Sequence, residues 1–99
     1  MKAVPLFKEK RIVINRKTGE EGVAELKVWR IPTSTVYPQG RKFSLFLVMG
    51  GAVVIGFDNH KPKGPHFHLG NMEVPYQFKG EEKLLKDFWD LVRKAGFET

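Results

Sequence analysis

The sequence predicts an α+β fold, an antiparallel, curved β-sheet of about five or six strands with one C-terminal amphipathic helix packed on one face. Three observations lead there. From Leu6 to about His68 the apolar residues recur with period two, and turn residues separate the runs. Gly50-Gly51 stands between two apolar runs, as a tight hairpin requires. Beyond residue 80 the spacing changes to three and four, which is helical.

The elements follow in order. Arg11-Ile12-Val13-Ile14 leads into the charged turn Lys17-Thr18-Gly19-Glu20-Glu21-Gly22. Ala24, Leu26 and Val28 then alternate with Glu25, Lys27 and Trp29, which reads as a half-buried strand with Trp29 on its polar side. Pro32 ends it, because proline has no N–H for a ladder. Thr33 to Arg41, with Pro38 and Gly40, reads as a mobile connection. Lys42 to Met49 is apolar on both faces after Ser44, so a central strand covered on both sides is expected. Ala52 to Phe57 returns as its hairpin partner, His66 to Leu69 is a further short strand, and Gly70-Asn71 turns into Met72–Phe78. The helix is expected from about Gly80 to Ala95, with Leu84, Leu85, Phe88, Leu91, Val92 and Ala95 on one stripe. Glu81 and Glu82 in its first turn and Arg93 and Lys94 in its last match the helix dipole, and Gly96 suits the C-terminal cap.

Ninety-nine residues suit one domain, 1–99, with the strands over about 6–78 and the helix over about 80–95. A hydrophobic content of 41% is that of a globular protein, not a disordered tail. With no cysteine, disulfides and thiolate metal clusters are excluded, so any metal would need His, Asp or Glu. The longest apolar stretch, Phe43 to Phe57, is broken by Ser44, Gly50, Gly51 and Gly56, and no membrane role is expected. The N-terminus does not resemble a secretory signal, so a cytoplasmic location is expected. Residues 1–49 hold ten Lys/Arg against four Asp/Glu, a balance of +6, whereas residues 50–99 hold seven of each. A one-sided basic surface suits nucleic acid or an acidic partner, although lysines kept for solubility would look the same.

All three histidines fall within nine residues, at His60, His66 and His68, beside Asp58 and Asn59. Residues two apart in a strand share a face, so His66 and His68 are neighbours there, as are Asp58 and His60 if their strand continues. Lys61 to Pro65 is a rigid basic connector able to fold one pair over the other. Two imidazoles and a carboxylate suit acid–base chemistry near neutral pH, one ring taking a proton, the other giving one, the carboxylate fixing a tautomer. The same set could hold a divalent metal, and an exposed His-x-His without any chemistry is the plain alternative. Lys42, Lys61, Lys63, Arg30 and Arg41 are candidates to hold a phosphate, and the Tyr76 hydroxyl is a candidate to reach the histidines. Trp29 is either a base-stacking platform or packing under the Thr33–Arg41 connection.

The order Val28-Trp29-Arg30-Ile31-Pro32, then Phe57-Asp58-Asn59-His60, Gly64-x-His66-x-His68, Glu73-x-Pro75-Tyr76-x-Phe78 and a leucine-rich terminal helix resembles the TumE family. The resemblance covers roughly residues 5–95. It implies a small growth-inhibiting toxin of a toxin–antitoxin pair, neutralised by a helix-turn-helix antitoxin. The sequence departs from the family pattern at Pro65 and Phe67, where an acidic residue and an arginine would be expected beside the histidines.

The leading reading joins these strands into a toxin acting on RNA without metal or other cofactor. In it His66, His68, Asp58 and His60 are catalytic, and Asn59, Lys42, Lys63, Arg30 and Tyr76 bind substrate. Ribonuclease activity is inferred from the residues, not from the family. The alternatives are a non-catalytic module binding nucleic acid or the antitoxin, and a histidine-based metal-binding protein. A homodimer through an exposed strand edge is a further possibility.

Overall fold

A computed structural model describes residues 3–60 and 64–98; Lys61 and Lys63 therefore lie outside the described residues. Seven strands and one helix follow the chain as β1 (Val4–Asn15), β2 (Glu21–Arg30), β3 (Arg41–Met49), β4 (Ala52–Asp58), β5 (His66–Leu69), β6 (Met72–Pro75), α1 (Glu81–Lys94) and β7 (Phe97–Glu98). The strands form one antiparallel sheet in the order β6-β5-β4-β3-β2-β1-β7, curled into a half-barrel around α1.

The two-residue alternation decides which side chains meet the helix. Ala24, Leu26 and Val28 of β2, Phe43, Leu45 and Leu47 of β3, and Ile55 and Phe57 of β4 are all buried on one face. Leu84, Phe88 and Val92, at helical spacing, are buried against them. Phe57 is a hub: its ring stacks on Phe67 at 5.3 Å and meets Tyr76 and Phe88 edge-on at 5.1 and 6.0 Å. The β3–β4 hairpin turns through Gly50 and Gly51 at φ 59° and 77°, a conformation that matches strand twist and is open to glycine.

The expected α+β architecture is present, with more strands than expected. β7 is two residues long and carries no periodicity, yet it closes the sheet edge by pairing Phe97 with Asn15. The central place of β3 is also as expected, but its cover is one-sided. Phe46 is half-buried and Val48 is 36% exposed, so the apolar residues on its second face meet no further layer among the described residues.

Polar contacts finish the ends of the elements. Arg41 donates to Glu81 in the first turn of α1, tying β3 to the helix, and this hydrogen bond holds the Glu81 carboxyl below its usual range. Asn59 is buried just past β4, where its Oδ1 accepts from the Phe43 N–H at 3.0 Å and its Nδ2 donates to the Arg41 carbonyl at 2.7 Å. The side chain thus continues the ladder where backbone pairing stops.

Two outcomes follow. Phe88→Ala removes the ring that α1 sets against Phe57 and should cost about 3–5 kcal/mol in urea-unfolding measurements. The Glu81 carboxyl is lowered in the folded state, so its contribution to stability is present above the ordinary glutamate value and lost as pH falls through the lowered one. Arg41→Gln should therefore destabilise the protein at pH 7 and do so progressively less on acidification below about pH 4.

Candidate functional site

The face of the sheet turned away from α1 carries the polar chemistry. Register sets it out in cross-strand rows. One row runs Lys8, Lys27, Ser44, Asp58 and His66, and the next runs Lys10, Glu25, Phe46, Gly56, His68 and Glu73. Gly56 is required by a close approach, since a Cβ there would lie 2.6 Å from the Phe46 ring that crosses it. On the far side of Ser44, Trp29 pairs with Lys42 to begin a third row.

Asp58 and His66 are directly opposed on β4 and β5, and two carboxylates converge on one imidazole. His66 Nε2 lies 3.2 Å from Asp58 Oδ1 and 3.5 Å from Glu73 Oε1. Its other nitrogen, Nδ1, is 2.8 Å from the Gly64 carbonyl, which can only accept, so Nδ1 carries hydrogen. His68 Nε2 approaches the second oxygen of Asp58 at 3.8 Å, and the two rings meet edge to face with centroids 4.7 Å apart. His66 is the buried member at 7% exposure, while the His68 side chain is 30% exposed. Asp58 is thus held between an anchored ring and an accessible one, and its Oδ1 also accepts from the His60 N–H at 3.1 Å.

Among the sequence-predicted residues, Asp58, His66 and His68 come together within 4.8 Å. His60 is exposed and meets the group through its backbone. Lys42 is on the same face. Arg30 is not, because by alternation it shares the side of Val28 and pairs with Arg41, the partner of Glu81. Tyr76 also faces α1: its hydroxyl donates to Asp87 at 2.7 Å, and burial together with that partner pushes its pKa far above the usual tyrosine value. Asn59 is occupied by backbone.

Phe67 is half-buried and packs on Phe57, on the side of the sheet opposite the histidines. Lys8, Lys27, Ser44 and Glu73 join the site without having been read from the sequence. Their local signal is only alternation, and it becomes informative once register is known. Four lysines on β1–β3, Lys8, Lys10, Lys27 and Lys42, thus share a face with the carboxylate–histidine group, with Glu25 lying 3.4 Å from Lys27 as the local counter-charge.

The Gly64 contact makes a spectroscopic prediction. In long-range ¹H–¹⁵N spectra, neutral His66 should show the Nδ1-protonated tautomer, which is the minor one for a free imidazole. A signal from the Nε2-protonated tautomer would contradict the anchoring.

No helix among the described residues is long and apolar enough to cross a membrane. No curated protein and no solved structure matches the chain. One protein family does, described as Toxin TumE, over residues 3–95. A toxin of this kind implies an antitoxin partner. With nearly its whole length covered, the chain belongs to the Toxin TumE family.

Proposed function

We propose that this toxin acts on RNA by metal-independent acid–base cleavage at the Asp58–His66–His68 group. The observation that carries the reading is one carboxylate bridging two imidazoles on a sheet face that also bears the lysine rows. His68, the accessible ring, takes the proton of a ribose 2′-hydroxyl. Asp58 orients it, and His66, anchored on Gly64, holds Asp58 in place when it carries a second proton at Nε2. The 3.8 Å separation is too long for a hydrogen bond and would tighten around bound substrate.

The new 2′-oxygen–phosphorus bond forms as the 5′-oxygen leaves, taking a proton from water. Negative charge growing on the phosphoryl oxygens is met by Lys27 and Lys42, which act as preorganised cations. Two strand spacings, about 10 Å, separate the backbones of Lys27 and Asp58, and a lysine side chain spans much of that interval. The partner is proposed to be a helix-turn-helix antitoxin, and the site of action the cytoplasm.

The test is induced expression of the chain and of His66→Ala/His68→Ala, with growth and total RNA followed together and circular dichroism confirming the fold. Purified His68→Ala should lose about 10²–10⁴-fold in RNA cleavage. Equal arrest and RNA loss from a folded double variant would overturn the reading.

A second reading, binding without catalysis, is favoured by Trp29 beside Lys27 and Lys42 on the same face. It expects single-stranded RNA affinity to fall steeply with salt and to be insensitive to the histidine changes.

A further inference from the structure

We infer that Asp58, His66 and His68, with Glu73 beside them, form a binding site for a divalent metal of the zinc class, and that its occupation silences the acid–base group. The binding half stands on geometry alone. The silencing half rests on the function proposed above.

One nitrogen from each imidazole and one carboxylate oxygen already lie within 4.8 Å of one another. Ligands held about 2.1 Å from a tetrahedral zinc ion are about 3.4 Å apart. The 3.2 Å between His66 Nε2 and Asp58 Oδ1 is close to that edge, and His68 Nε2, 3.8 Å from the second oxygen, must turn inward to close a spread of up to 4.8 Å. His66 is also arranged as zinc-binding histidines are: its Nδ1–H is held by the Gly64 carbonyl, which turns the Nε2 lone pair inward. That lone pair faces the oxygens of both Asp58 and Glu73. A bare Nε2 lone pair 3.2 Å from a carboxylate oxygen is a position that a proton or a metal ion can occupy favourably.

The donor set selects the metal class. Two imidazoles with a carboxylate suit zinc, copper, nickel or iron, whereas magnesium prefers oxygen ligands and retains its water. The three donors leave a fourth position open. A metal there takes a nitrogen of His68 and an oxygen of Asp58, the atoms that proton transfer requires. Metal and RNA chemistry are therefore mutually exclusive at this site.

Calorimetric titration of the full chain with ZnCl₂ tests binding independently of activity. One site per chain is expected, weakened by at least about 10-fold in Asp58→Asn and in His68→Ala, with circular dichroism showing both folded. His60→Ala should bind as the parent does, since His60 is exposed and outside the donor group. MgCl₂ should give no comparable heat. RNA cleavage by chelator-treated protein should fall on adding stoichiometric zinc and return with EDTA.

Absence of zinc binding overturns the site, as does binding that survives Asp58→Asn and His68→Ala but is lost in His60→Ala. Faster cleavage with zinc bound overturns the silencing together with the metal-independent mechanism. Zinc binding with no cleavage in either state leaves the site standing and overturns the RNA reading and its silencing.

Discussion

The pairing of β4 with β5 is the constraint from which the rest of the site follows. Asp58 opposes His66, Phe57 opposes Phe67, and Gly56 opposes His68, so polar and aromatic pairs leave the sheet in opposite directions. A slip of one residue would drive both imidazoles toward α1 and expose Phe67. What resists the slip is aromatic packing: Phe67 stacks on Phe57, and Phe57 is itself pinned by Phe88 and Tyr76. The same contacts that build the core thereby hold a carboxylate and two imidazoles in position on the outer face.

The division of labour between the faces explains several side chains that would otherwise look functional. Tyr76, Arg41 and Asn59 are polar and are candidates for binding in the sequence, yet each satisfies a structural requirement. Tyr76 reaches Asp87 on the helix, Arg41 reaches Glu81, and Asn59 extends the β3–β4 ladder. On the outer face the polar residues left over by packing include Lys8, Lys10, Lys27, Lys42, Ser44, Asp58 and the two histidines, with Glu25 and Glu73 among them. In the proposed reading, their coincidence supplies that face with both an electrostatic attraction for a polyanion and a group to move protons.

Much of this was legible in the sequence where the signal is local. Leu84, Phe88 and Val92 announce the helix and its buried stripe, and Ala24, Leu26 and Val28 announce their strand. The shared face of His66 and His68 follows from alternation alone. Cross-strand register is not local. That Asp58 meets His66 across the sheet, or that Lys8 and Lys27 share their row, depends on hairpin geometry and core packing acting over long separations. Within β1 the signal is weaker, because Glu9 and Arg11 occupy inward positions and blur the apolar alternation; Arg11 lies over the Trp89 ring of α1. β7 is too short for any period to show.

The chemistry of the RNA ends produced by the purified, chelator-treated protein tests the central claim most directly. Attack by the 2′-hydroxyl leaves a 2′,3′-cyclic phosphate on one fragment and a 5′-hydroxyl on the other, and the account predicts those ends. Fragments ending in 3′-hydroxyl and 5′-phosphate would show that activated water, not the ribose, attacks the phosphorus. That result would contradict the acid–base role assigned to Asp58 and His68.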